Sequence, residues 1–274
     1  MKLILTLIIT ASLPLFSMGA FLEGKKRIPA TQDTWQHYGS FSKAKLPSTF
    51  KLLVWNIYKT DKPDWKKDFN SIMQNKDLIL LQEFIDNELS LNTLKTHQKY
   101  AWDFATSFVF EETGLRTGVA IGSKTEPLDL YFYRTKNLEP IVRTPKVFTI
   151  SEYAIEDKKN TLKAMNIHGI NFVSSKKLDA QLKASYLELK EHKGPIVFAG
   201  DFNTWSRKRV DVLNKYIKLL NLEEVNFSPD HRMFKFGFPL DYILVRGLKV
   251  LKSQTHGDLN GSDHKAMTAT LQVK

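Results

Sequence analysis

The chain has 274 residues, is 42% hydrophobic and 25% charged, and contains no cysteine. It is long enough to bury a sizeable core in one domain, and it has no disulfide, thiolate metal site or thiol nucleophile, so carboxylate, imidazole, hydroxyl and amide groups must carry any chemistry. Forty Lys and Arg against 29 Asp and Glu give a formal net charge of +11, which favours polyanionic partners such as nucleic acid or acidic lipid without locating a site for them.

Met1 and Lys2 precede an apolar run, Leu3 to Phe16, broken by Pro14 and followed by the small residues Ser17, Gly19 and Ala20. This is the pattern of a secretory signal cleaved after Gly19 or Ala20, so an exported protein, periplasmic or secreted, is expected. The alternative is a membrane anchor: residues 3–22 are 20 uncharged residues in a row, about the length that spans a bilayer, and Lys25, Lys26 and Arg27 disfavour translocation. Residues 1–20 are therefore a signal peptide or anchor. Residues 21–49, with Pro29, Gly39 and Pro47 and no sustained period, read as a linker or N-terminal arm, and residues 50–274 as the catalytic domain.

Within that domain Lys51 to Asn56 and Asp77 to Glu83 are compact apolar runs of strand type. Between them Trp65, Phe69, Ile72 and Met73 repeat as one helix face. Gly118 to Gly122, Leu128 to Tyr133, Lys146 to Ile150 and Leu162 to Ile167 follow as strands without a clear helix between them, which predicts antiparallel pairing. A second helix carries Leu178, Leu182, Ser185 and Leu189, the strand Ile196 to Asp201 follows, and a third helix carries Val210, Leu213, Ile217 and Leu220. Leu240 to Val245, Leu248 to Leu251 and Lys265 to Leu271 close the chain as strands. Two groups of strands with few helices predict two sheets packed face to face with helices outside.

Several of these strands end in a residue that coordinates or hydrogen-bonds: Asn56, Glu83, His168, Asp201 with Asn203, Asp241, and Asp263 with His264. Strand ends are where a rigid scaffold presents reactive groups. Singly, each has an ordinary explanation: Asp201 and Asn203 can form an Asx turn, and a lone histidine can be a hydrogen-bonded core residue. Asp241 is different, because it is flanked by Leu240, Tyr242, Ile243 and Leu244, and a carboxylate in a buried strand needs a partner, for which a histidine is suited. No zinc-type His-Glu-x-x-His helix and no Gly-x-Ser-x-Gly elbow occurs, and Gly118 to Lys124 has the wrong spacing and order for a phosphate loop. The oxygen-rich set suits a hard divalent cation, Mg2+ or Mn2+, better than zinc.

The blocks Trp55-Asn56-Ile57, Leu81-Gln82-Glu83, Asn166-Ile167-His168, Gly200-Asp201-Phe202-Asn203, Leu240-Asp241-Tyr242 and Ser262-Asp263-His264 resemble, in order, those of the endonuclease/exonuclease/phosphatase superfamily, and are most similar to its YafD-like bacterial branch. The resemblance implies a four-layer α/β/β/α sandwich of two packed mixed sheets with outer helices, and metal-dependent hydrolysis of phosphodiester bonds. It implies that Glu83, Asn56 and Asp263 bind the metal, and that Asp201 orients or deprotonates the attacking water while Asn203 steadies phosphate or nucleophile. It further implies that His264, held by Asp241, contacts the scissile phosphate, and that His168 is an acid for the leaving oxygen. Where some nucleases of the family carry an arginine two residues after the metal glutamate, this chain has Ile85.

Substrates of that fold include DNA, RNA, sphingomyelin and inositol phosphates. The basic balance, with Arg207 and Arg209 just after the Asp201 loop and Trp205 as a stacking platform, favours nucleic acid, so a monomeric nuclease is the expectation. The alternatives are a phospholipid phosphodiesterase that meets membrane lipid and a non-catalytic phosphate-binding module.

Overall fold

Two parallel strand pairs, each joined through a helix, organise the chain, and both point their carboxyl ends the same way. The structure, a computed structural model, describes residues 24–274. The expected signal or anchor, residues 1–20, lies outside the described residues.

In chain order the strands are β1 (Lys26–Arg27), β2 (Trp35–Gly39), β3 (Thr49–Asn56), β4 (Leu78–Ile85), β5 (Ala101–Phe110), β6 (Arg116–Ser123), β7 (Asp129–Arg134) and β8 (Val147–Tyr153). They continue with β9 (Leu162–His168), β10 (Ile196–Asp201), β11 (Glu223–Glu224), β12 (Phe234–Lys235), β13 (Phe238–Pro239), β14 (Asp241–Arg246), β15 (Leu248–Thr255) and β16 (Met267–Val273). The helices are α1 (Trp65–Ile72), α2 (Glu88–Lys95), α3 (Ser175–Leu189) and α4 (Arg207–Leu220).

The first sheet runs β1-β5-β6-β4-β3-β16-β15, with β2 also on β5, and the second runs β11-β14-β10-β9-β8-β7. In each, one parallel pair, β3 with β4 and β9 with β10, sits among antiparallel neighbours. Alternate residues of both sheets, among them Leu52, Val54, Leu80, Val197, Ala199 and Ile243, meet in the core between the sheets. The outer face of the second sheet is covered by Leu178, Leu182 and Leu189 of α3 and Leu213, Tyr216 and Leu220 of α4. Trp65, Phe69 and Ile72 of α1 and Leu94 of α2 cover the first. This is the expected α/β/β/α sandwich.

The described part of the expected arm, residues 24–49, does more than link, because β1 and β2 add to the edge of β5 and Leu46 is fully buried in the inter-sheet core. Two buried amides join the sheets near their carboxyl ends: Gln82 Nε2 donates to Asn166 Oδ1 at 2.6 Å, and Asn166 Nδ2 donates to the carbonyls of Leu81 and Ala120 at 3.0 Å. Gln82 precedes Glu83, and Asn166 lies two residues before His168, so this bridge fixes the separation of the two site residues across the sandwich. Gly200 lets Asp201 approach as closely: its φ is +138°, and a Cβ there would meet the Ile167 carbonyl oxygen at 2.0 Å.

Candidate active site

The register of the second sheet gathers three of the site residues in one row. Asp201 at the end of β10 lies opposite His168 at the end of β9 and opposite Asp241 at the start of β14. The first sheet brings Asn56 against them, its Nδ2 donating to Asp201 Oδ2 at 3.1 Å. Glu83 enters from β4 at a bulge in its pairing with β6, in a left-handed conformation with φ 53°. A bulge re-aims a side chain, and a non-glycine residue held at positive φ stores strain that the surrounding structure must sustain.

The loop carrying Ser262, Asp263 and His264 is tied down at both ends. Ser262 Oγ donates to the Asn56 carbonyl at 2.6 Å, and Trp55 Nε1 donates to the His264 carbonyl at 3.0 Å. Asp68, a buried carboxylate on α1, accepts from the backbone N–H groups of Asn260 and Gly261 at 2.8 Å each.

Electrostatics divide the two histidines. His264 Nδ1 lies 2.8 Å from Asp241 Oδ2 and 3.0 Å from Oδ1. Burial acts against its charge, but the Asp241 carboxylate overcomes this, with help from Asp201 and Asp263, and the imidazole is pushed up to about 10. His264 is therefore an imidazolium whose Nε2 faces Asp201 Oδ2 at 3.9 Å. His168 is the opposite case: burial first, and then Lys146, Lys59 and His264, hold it well below its ordinary value despite Glu83. Its Nε2 stands 3.6 Å from Asp201 Oδ2 and 3.8 Å from Glu83 Oε1, which supplies the carboxylate neighbours that the sequence does not reveal. Of the two rings, His264 is the one whose surroundings favour the proton and His168 the one whose burial disfavours it.

Burial pushes Asp201 above the usual carboxylate range, opposed by His264 and reinforced by Asp241 and Glu83. A buried carboxylate with raised proton affinity next to a fixed cation is suited to take a proton from water. Asn203, at φ 52°, donates its backbone N–H to Asp201 Oδ1 at 2.8 Å and its Nδ2 to the Gly169 carbonyl at 2.9 Å. The Asx turn is thus present and is itself the device that orients Asp201.

Lys59 was not foreseen. It lies in a 3-10 turn, Tyr58–Thr60, whose three residues all have positive φ, and its ammonium pairs with Glu83 Oε2. Burial would raise the Glu83 carboxyl, but Lys59, then His168 and Lys146, hold it well below the carboxylate range. Such a carboxylate adds stability above its ordinary pKa and loses it as pH falls toward the folded value. Replacing Lys59 by Met should therefore lower the melting temperature at neutral pH, with the gap to wild type closing on acidification. In metal-free protein the Glu83 carboxyl should then titrate at higher pH, as read by carboxyl-carbon NMR, and an unmoved titration would refute the pairing.

Glu83, Asn56 and the exposed Asp263 offer two carboxylates and an amide oxygen, a donor set that fits a hard divalent cation. Asp201, Asp241 and His264 also approach within 4.8 Å of one another. In that second group Asp241 is already engaged with His264 Nδ1 at 2.8 Å, which leaves the ring's Nε2 and the Asp201 carboxylate facing the site.

Arg209 is corrected by the structure. It is 1% exposed, and its guanidinium donates to the carbonyls of Asn203 at 2.6 Å, Val173 at 3.0 Å and Ile170. It buttresses the Asn203 loop from beneath and cannot bind substrate. Trp205 lies against that guanidinium, 5.2 Å from ring centre to carbon, and donates Nε1 to Asn171 Oδ1 at 2.9 Å. Arg207 is exposed and pairs with Asp211 one turn along α4 at 3.0 Å.

Residues 53–264 match the sequence model of the Endonuclease/Exonuclease/phosphatase family. A UPF0294 protein of Vibrio campbellii is 38% identical over 224 residues, covering 81% of this chain and 77% of the relative. One from Yersinia enterocolitica is 32% identical over 232 residues, covering 84% and 86%. Among solved structures, an endonuclease/exonuclease/phosphatase from Beutenbergia cavernae superposes with TM-score 0.64 at 15% identity, covering 82% of this chain and 72% of that one. Truncated Caenorhabditis elegans TDP2 superposes with TM-score 0.59 at 18% identity, covering 82% and 98%. These two similarities concern the fold.

Proposed function

The chain belongs to the Endonuclease/Exonuclease/phosphatase family, alongside its UPF0294 relatives, and from that premise we propose that it is a divalent-metal-dependent phosphodiester hydrolase. The observation that carries this reading is the placement of His264, held by Asp241 at 2.8 Å and facing Asp201, which in turn accepts from Asn56 at 3.1 Å.

Asp201 accepts a proton from the attacking water, whose position is fixed by the Asn203 turn and by Asn56. His264 donates from Nε2 to a non-bridging or departing oxygen, and Asp241 stabilises its positive charge and sets the ring's orientation. His168, whose Nε2 stands near both Asp201 and Glu83, is placed to hydrogen-bond the phosphate or the leaving oxygen. Mg2+ or Mn2+ held by Glu83, Asn56 and Asp263 would supply neutralisation of the phosphoryl oxygens. With Arg209 buried, only the exposed Arg207 remains of the two arginines expected to favour nucleic acid, and a phosphodiester is the substrate class proposed for the site.

Hydrolysis of bis(p-nitrophenyl) phosphate should fall by about 10²-fold or more on chelation and return with Mg2+ or Mn2+. Undiminished turnover in chelated, metal-free protein would overturn the metal requirement.

A further inference from the structure

Three loops of the second sheet form one side of the site's mouth. Residues 135–146 join β7 to β8 beside Lys146, residues 169–174 follow His168, and the β12–β13 hairpin immediately precedes Asp241. They are joined to one another: Glu139 Oε1 accepts from the Asn171 N–H at 2.8 Å, and Lys235 Nζ stands 5.7 Å from the centre of the Phe172 ring. On these loops Ile141 is 65% exposed, Phe172 60%, Phe234 48% and Phe236 77%. Among the described residues, no phenylalanine outside these loops is exposed. Phe236 also stands with Gly237 at a hairpin tip, both at positive φ, so a large apolar ring occupies a position where solvent exposure brings no folding benefit.

The charges around these rings have one sign. Lys136, Arg143, Lys176, Lys177 and Lys235 are exposed on the same loops and the first turn of α3, while the acid among them, Glu139, is buried and bonded. Lysines in a helix's first turn oppose the helix dipole, so their placement costs the fold a little stability. Apolar rings interleaved with cations match an anionic bilayer surface, where rings enter the acyl boundary and ammonium groups meet phosphates. The aliphatic Ile141 and the tip position of Phe236 suit that surface better than base stacking.

The chain's own amino terminus points to the same occupant. β1 pairs with the last residues of β5, and β5 runs parallel to β4, so Gly24 lies at the carboxyl end of the first sheet, the end that carries the site. The uncharged residues 3–22 precede it, separated by Glu23, and as a membrane anchor, the alternative to a cleaved signal, they would hold this end at a bilayer. We propose that the loop face formed by residues 135–146, 169–177 and 234–237 docks on an anionic phospholipid bilayer, so that the site receives its phosphodiester from a lipid headgroup. The substrate class rests on the phosphodiester reading above; the docking does not.

The absence of native cysteine allows a direct test on the full chain. An environment-sensitive fluorophore is attached to F236C and, as a control at the opposite end of β7, to L128C, which replaces a leucine 63% exposed. On adding phosphatidylglycerol vesicles, the label at 236 should shift to shorter wavelength and gain intensity, less so with phosphatidylcholine, while the label at 128 does not respond. No response at 236, an equal response at both sites, or a response at 236 to single-stranded oligonucleotide but not to vesicles would overturn the proposal. Turnover of the soluble diester, measured on the same samples, reports separately on the hydrolase reading.

Discussion

Replacing Asp201 by Asn should lower kcat on a chromogenic phosphodiester by about 10³-fold, with KM little changed. The amide keeps the size of the side chain and can still accept from the Asn203 N–H, which the carboxylate now does at 2.8 Å, but it cannot take a proton from water. Replacing His264 by Ala should cost about as much, because the two groups act on one transition state and their losses do not add. The two variants should differ in stability. Loss of His264 leaves the Asp241 carboxylate, 2% exposed, without its imidazolium, so this variant should also melt at lower temperature. Near wild-type turnover in either variant, measured with the melting temperature recorded in parallel, would contradict the assignment.

Arg209→Ala should destabilise by roughly 3 kcal/mol, about 1 for each carbonyl left without a donor, and lower the melting temperature by roughly 6 to 12 °C. Burial brings the guanidinium down to about 10, so it remains charged at neutral pH and its hydrogen bonds are charge-assisted. Its three acceptors, Asn203, Ile170 and Val173, belong to the two loops that flank the site. Below the melting transition the loss should appear mainly in kcat, through a displaced Asn203 turn. Thermal unfolding together with steady-state kinetics checks this: a stable variant with a raised KM alone would restore the substrate-binding role that burial denies.

Much of the site is legible in the sequence because its residues stand where apolar runs stop. Asn56, Glu83, His168, Asp201 and Asp241 each mark a strand end, or a point close to one, and such ends are conspicuous in any hydropathy reading. What could not be read is whatever depends on pairing across the two sheets. The strand β5 shows no alternation, because nearly all of Ala101–Phe110 is buried, with Asp103, Thr106 and Ser107 among the apolar residues. Likewise β2 gains its stability by adding to β5, so a segment with weak local preference looks like a linker. Arg209 looks like a surface cation because three basic residues in a row open α4, and only the packed loops reveal that it points inward. Lys59 offers no signal of its own, since its reach to Glu83 depends on a left-handed turn that a Tyr-Lys-Thr sequence does not announce.

The most direct measurement is the fate of solvent oxygen during turnover of a phosphodiester by the purified protein with Mg2+ in water enriched in oxygen-18. If water aimed by Asp201 attacks phosphorus, one labelled oxygen per turnover appears in the phosphomonoester product and none in the released alcohol, and in the Asp201→Asn variant labelled product accumulates about 10³-fold more slowly. Label in the alcohol, or phosphodiester cleavage that survives unchanged in that variant, would contradict hydrolysis at this site.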